Sequence, residues 1–379
     1  MKKEIIVLGD IEMGAGTLTD DFISDNALAK LVNSLAKKKH PVDLIFNGDT
    51  FDFLKCPVIK DNKRSYPRYI TPEISVEKLH LMYQAHKKVF MAIKSFLKTS
   101  KKHKVIFIYG NHDYDLIYRW VQSELRNILG YPDQVFFSLN YEQHGVYTEH
   151  GHMYDLFYRM NLNNMFLTHQ GKKILNMSWM AFGMISKAMK HKEAHPFMDR
   201  IQNRHTLLTQ NKDFAKLVKW ESIKHLLQTI FYYPFRYMSD PTYTLPRDVM
   251  KEMFRRLKSL QLELTGIVDI FLQSKKPVLK KNKIIVFGHI HDRYIDERPN
   301  NVILQPGSWR DDYEFNQKNG KLIPRTKYYI QIQVKDSGLT WKVIPVIINR
   351  KVLEFKKIIK DQKKWLRIVA EQEGYTPRQ

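Results

Sequence analysis

The sequence predicts an α/β fold, and three observations carry that expectation. Five runs rich in β-branched and aromatic residues recur along the chain: Glu4–Leu8, Asp43–Phe46, Val105–Tyr109, Gly145–Thr148 and Ile284–Phe287. Most are continuously apolar rather than alternating, as in strands buried on both faces. Helical stretches separate several of them, which favours parallel pairing and gathers the strand ends along one edge. Each run also leads into a short polar segment, and that edge is where open α/β sheets bind ligands.

Taken in order, the first run delivers Gly9-Asp10-Ile11-Glu12 and the second Gly48-Asp49-Thr50-Phe51-Asp52. The third delivers Gly110-Asn111-His112-Asp113, the fourth His150-Gly151-His152 and the fifth Gly288-His289-Ile290-His291. The candidate metal donors are Asp10, Asp49, Asn111, His150, His289 and His291, with Glu12 as a seventh. This nitrogen and oxygen set contains no thiolate and suits Mn²⁺, Fe, Zn²⁺ or Co²⁺. One carboxylate can bridge two cations about 3.5–4 Å apart, and such a pair clamps the attacking and leaving oxygens of a phosphoryl group. His112 follows Asn111 and is free to act as a general acid. Any one segment alone reads more readily as turn chemistry. Five together, all at strand ends, make coincidence the weaker account.

The order D-x-H, G-D-x-x-D, G-N-H-D/E, H and G-H-x-H belongs to the calcineurin-like metallophosphoesterase superfamily, which this sequence resembles in every element but one. The resemblance covers about the first 155 residues and the stretch after 283. It implies a sandwich of two mixed β-sheets flanked by helices, with a helical cap insertion. It also implies two divalent ions, manganese first among the candidates. Asp10 and His291 would hold one ion, Asp49 would bridge, and Asn111, His150 and His289 would hold the other. His112 would protonate the leaving group, and Asp52 would orient and charge His112. The departure is Glu12, where the family usually places histidine. A carboxylate there would tilt the first position toward Mn²⁺ or Mg²⁺, or would point away and leave that ion weakly held. Gln305-Pro306-Gly307-Ser308-Trp309 resembles a family turn that lies beside the site.

The expected organisation is a core over residues 1–156, a basic helical cap over 157–283, the rest of the core over 284–350 and a basic C-terminal helix over 351–379. The net charge is +23. Residues 152–283 hold about 23 Lys and Arg against about 10 Asp and Glu, so roughly +13 of the excess lies there. Helices are expected over Leu162–Lys190, Asp213–Phe231, Arg247–Leu272 and Arg350–Glu373. Ile174–Ile185 is apolar nearly all round with lysines at both ends, and Ile230–Met238 packs aromatics around Pro234. Such stretches suit membrane interfaces and lipid-accepting clefts, or else a buried cap helix with Met filling gaps. The arrangement is similar to the UDP-diacylglucosamine hydrolases of lipid A synthesis, which carry an insertion between the same motifs. Phe53 adds to that likeness, whereas His112, where those enzymes often have Arg, departs from it.

The expected function is hydrolysis of a phosphoester or pyrophosphate in an anionic, lipid-linked substrate, with peripheral contact at the inner membrane face. The alternatives are a nuclease acting on DNA or RNA and a non-catalytic scaffold of the same fold. Aromatics clustered with Met and Leu fit base-stacking platforms poorly, and a scaffold has no use for a buried ligand cluster. Arg64 and Arg68, in a loop near the second motif, are candidates for substrate phosphate, with solvated surface charge as the competing reading. His191 and His195 share a helical face, but Pro196 ends the element and a solvated helix end is expected. The single Cys56 excludes a disulfide framework and fits a reducing compartment. No cleavable signal is apparent at Met1-Lys2-Lys3-Glu4 and no run reaches the ~20 apolar residues of a spanning helix. A cytoplasmic location is expected.

Overall fold

The computed structural model describes residues 2–378 apart from 62, 184, 186–187, 203–206, 210, 245 and 260–266. Its centre is a sandwich of two mixed sheets, as expected. Strands Lys3–Leu8, Val42–Asn47, Lys104–Ile108 and Val135–Ser138 pair in parallel in that order. Lys327–Lys335 and Gly338–Val346 extend this sheet antiparallel to a total of six strands. The second sheet has five strands, with Ile284–Val286 parallel to both Val146–Glu149 and Val302–Pro306. Antiparallel edges, Asn140–Gln143 and Arg293–Glu297, close it.

Because successive side chains on a strand point to opposite faces, each continuous apolar run supplies two layers. Ile5, Val7, Ile45 and Ile106 meet Val146, Ile284, Val286 and Leu304 between the sheets. Ile6, Leu8, Leu44, Phe46 and Phe107 face the other way, onto Leu28, Val32, Phe90, Ile93 and Leu125 of the covering helices. Tyr147, Ile285 and Phe287 of the second sheet pack against Phe271. Burial on both faces is why these strands lack a polar alternation.

The insertion differs from the expected helices in one place. Phe166–His169 and Lys172–Leu175 form a hairpin, and helix resumes only at Trp179–Gly183. The turn residues Gln170 and Gly171 both have positive φ, 49° and 73°, the geometry of a tight two-residue hairpin turn. Lys212–Phe231 is one long helix. Arg247–Ser259 and Ile267–Ser274 are helices, while the middle of the expected Arg247–Leu272 helix lies outside the described residues. The apolar stretch after Lys173 is buried: Leu175, Met177, Ala181, Phe182 and Ile185 join the main core.

The C-terminal segment is not one helix. Leu353–Glu354 adds to a small sheet with Lys321–Pro324, and helices Phe355–Lys360 and Gln362–Gln372 follow. Asp361 interrupts them and caps the second, its side chain accepting from the Lys364 amide, a typical N-cap bond. Phe355, Ile358, Leu366 and Val369 dock on Phe197, Ile201, Tyr313 and Leu322, so the apolar face is covered within the chain.

Candidate metal centre

All five polar segments converge at one edge of the sandwich, and their backbone is bent to achieve it. Glu12, Asp49, His289 and His291 have φ of 57°, 48°, 70° and 61°. Non-glycine residues rarely enter this left-handed region, and such strain persists where surrounding contacts over-determine it. The Asp49 carbonyl accepts from both the Ile11 and the Glu12 amides, at 3.0 and 2.7 Å, which ties the first segment to the second. Gly110 is needed for closeness, since a Cβ there would lie 2.1 Å from Asp49 Oδ1. Gly48 is under the same constraint, with a Cβ falling 2.4 Å from the His150 ring.

Around His150 the donors and acceptors do not balance. Its Nδ1 donates to the Asn47 carbonyl at 2.9 Å, which in the neutral ring leaves Nε2 as the lone-pair nitrogen. That nitrogen faces Asn111 Oδ1 at 3.1 Å and Asp49 Oδ2 at 3.1 Å. Three acceptors therefore point at one another, and only a positive charge between them satisfies all three. The titration of His150 expresses the same demand. Burial pushes it down, yet Asp49 and Asp10 raise it to about 10. Burial likewise opposes ionisation of Asp49, while His150 and then His112 hold its carboxyl well below the usual range. Ligand atoms of Asp49, His150 and His289 lie within 4.8 Å of one another. The His289 amide donates to both Asp10 oxygens, at 3.1 and 3.2 Å. The donor set fits a divalent cation of the manganese, iron, zinc or cobalt kind.

On the other side the charges are already matched. Glu12 is buried, and its Oε2 accepts from Lys55 Nζ at 2.6 Å while Oε1 accepts from Arg310 Nη1 at 3.2 Å. Burial opposes its ionisation, but Arg310 and Lys55, then His112 and His291, hold it well below the carboxylate range. His291 Nε2 stands 3.4 Å from Glu12 Oε1. Lys55 Nζ also reaches Asp21 at 2.5 Å and Asp52 at 3.0 Å. Neither Lys55 nor Arg310 stood out in the sequence. The available signals were a lysine inside the apolar run Phe53-Leu54-Lys55-Cys56 and an arginine directly after the Gln305–Trp309 turn.

His112 lies between the halves. Its Nδ1 is 2.9 Å from Asp52 Oδ1, and Glu12, Asp49 and Asp52 overcome burial to raise it to about 9. Beside it Phe53, Leu54, Ile70, Met177 and Ile185 close in together with Lys78 and Asp115. The insertion reaches the site: Tyr158 packs edge-on to His289 with ring centroids 5.4 Å apart. Lys192 bonds Asp21 and Asp199, each at 2.6 Å. His152, also unassigned from sequence, is buried against the His150 ring with neither nitrogen bonded to a protein atom.

Arg68 is placed differently from the expectation. Its guanidinium donates to Thr242 Oγ1, Thr242 O and Phe182 O and lies over the Tyr243 ring at 4.0 Å. These contacts fasten the insertion to the loop. Arg64 lies on the hairpin Val58–Lys60/Lys63–Ser65, half-buried. His195 Nδ1 meets Gln362 at 3.2 Å and His191 lies 3.9 Å from Glu221, so this pair does not converge on a shared point.

Residues 3–293 match the calcineurin-like phosphoesterase family, and the chain belongs to it. No curated protein matches. Among solved structures it is similar to a putative 5'-nucleotidase from Staphylococcus aureus in complex with alpha-ketoglutarate, at 12% identity and a TM-score of 0.31. That alignment covers 97% of this chain and 58% of the nucleotidase, so this chain spans under two thirds of that protein's length. A phosphopantetheinyl hydrolase from Mycobacterium tuberculosis aligns at 11% identity and a TM-score of 0.29, covering 81% of this chain and 89% of its own. Likeness at these levels carries no argument about substrate.

Proposed function

We propose that the chain hydrolyses a phosphoester or pyrophosphate bond in an anionic, lipid-linked substrate. The observation that carries the hydrolase reading is the set of acceptor atoms on Asp49, Asn111 and His150 facing one another beside His112. A divalent cation held there, manganese by preference, supplies Lewis acidity toward a phosphoryl oxygen and toward water. The protein's own part begins with Asp52, which holds His112 Nδ1 and so presents Nε2–H as the proton donor to the leaving oxygen. His112 stays protonated through neutral pH because three carboxylates surround it.

One feature supports the lipid-linked part. At the far end of the long insertion helix Phe231, Phe235 and Met238 are 66%, 75% and 87% exposed, next to Arg236. Aromatic and Met side chains with basic neighbours suit a lipid interface. Among the described residues no helix is long and apolar enough to cross a membrane, so contact with a bilayer would be peripheral. Several basic groups of the insertion, among them Lys192, Arg200 and Arg159, are engaged in ion pairs within the chain, which weakens a nucleic-acid groove as the reading.

Replacing His112 by Ala should lower turnover about 10²–10⁴-fold on substrates with poor leaving groups, with Mn²⁺ uptake unchanged. Full activity in that variant would remove its proposed role. Mass spectrometry of organic extracts from protein purified without detergent tests the substrate class. Phosphorylated lipids carrying acyl chains are expected, and nucleic acid alone would favour the nuclease.

A further inference from the structure

The two expected metal positions are not equivalent. A cation at the first would draw on Asp10, Glu12, Asp49 and His291, and Glu12 has both oxygens committed to side-chain cations. Lys55 Nζ donates to Glu12 and Asp21 at 2.6 and 2.5 Å and forms an ion pair with Asp52 at 3.0 Å. Arg310 adds Nη2 contacts to Asp21 and Asp199, at 3.3 and 3.2 Å. Both basic side chains are buried, so neither can swing into solvent to make way for an ion. A divalent ion beside them would face two fixed positive charges at low dielectric. The departure at residue 12 fits the same arrangement. Histidine there would remove a carboxylate that Lys55 and Arg310 share, whereas glutamate pairs with both.

We propose that this chain holds one tightly bound divalent cation, on Asp49, Asn111, His150 and His289. Lys55 and Arg310, anchored on Glu12, occupy electrostatically the half of the site where a second ion would otherwise be needed. They act as positioning residues: they hold both oxygens of Glu12, and Lys55 stands beside Asp52, which backs His112. The proposal rests on the metallophosphoesterase reading of the site, and its test separates the two.

Metal-free protein titrated with Mn²⁺ is followed by metal analysis and by electron paramagnetic resonance. The expected result is one tight equivalent with the six-line spectrum of an isolated ion, lost in His150→Ala and retained in His291→Ala. Two tight equivalents with an exchange-coupled spectrum overturn the proposal and leave the hydrolase reading intact. A single ion that depends on His291 and not on His150 also overturns it. No tight ion overturns both. Lys55→Met should raise the stoichiometry toward two by releasing one oxygen of Glu12 from its ammonium partner. Should that variant fail to fold, the wild-type spectrum still decides.

Discussion

The half of the site around His150 and the half around Glu12 contain the same kinds of side chain and meet at His112, yet they balance charge in opposite ways. Around His150, acceptors face acceptors: with the imidazole neutral, Nε2, Asn111 Oδ1 and Asp49 Oδ2 have no donor among them, and only a proton or a cation answers them. Around Glu12, the carboxylates of Glu12, Asp21 and Asp52 each have an ammonium or guanidinium within reach. A buried acid is therefore a poor guide to a metal until its partners are known. What marks a ligand is the lone pair that the protein leaves unanswered.

The largest effect that tests this contrast is on metal binding. His150→Ala should weaken Mn²⁺ by more than the roughly 10–100-fold typical of losing an outer-shell partner, because the proposed site uses it as a direct ligand. Isothermal titration of the variant measures it. Retention of wild-type affinity would mean that the facing acceptors hold a proton rather than an ion.

Glu12→Ala should do the reverse. Metal affinity at the His150 half changes little, while stability falls by about 3–5 kcal/mol, since removing one partner of a buried pair leaves the other charge uncompensated. Urea unfolding checks the loss. A neutral outcome would show that Lys55 and Arg310 are satisfied by Asp21, Asp52 and Asp199 alone. Gly110→Ala should damage the His150 half instead, because its Cβ would collide with Asp49.

The contrast also explains what could be read in the sequence. Strand runs and the donors after them were legible because both are local: Ile5 to Leu8 must be buried, and Asp10 follows. Family order then identified which donors meet. Lys55, Arg310, Lys192 and Asp199 were not legible, because a buried cation is recognised only by the carboxylates that the fold brings to it from up to 298 residues away. The hairpin at Gln170-Gly171 was hidden by the flanking apolar residues, which fit a helix face as well as a strand. The break at Asp361 was hidden by an amphipathic pattern that continues across it. Arg68 looked like a free basic side chain because its partners, Phe182 and Thr242, are more than a hundred residues away.

The compensated half continues outward through Asp20 to His86, whose ring nitrogens lie 2.9 Å from Asp20 and 3.0 Å from Asp25. Burial pushes His86 down, but the two aspartates raise it from 6.5 to about 10. A histidine held protonated by folding contributes stability that is fully present below 6.5 and is lost as pH rises through about 10. Between about pH 7 and 10 the slope from this group should approach about 1.4 kcal/mol per pH unit. Denaturant melts across that window should show the decline in wild type and a shallower one in His86→Gln. An equal slope in both would mean that His86 folds neutral.

The smallest effect on the folded state is expected at Phe231, Phe235 and Met238, which touch neither half. Changing Phe235 and Met238 to Ser should leave stability within about 0.5 kcal/mol, as for surface positions without special contacts. Manganese uptake should be unchanged as well. Binding to vesicles containing anionic phospholipid should nevertheless fall, because these side chains provide apolar area that only an interface would cover. Co-sedimentation with vesicles at moderate salt reads this directly. If the double variant sediments like wild type, the insertion does not meet the bilayer through this surface, and basic side chains alone must account for any attraction to it.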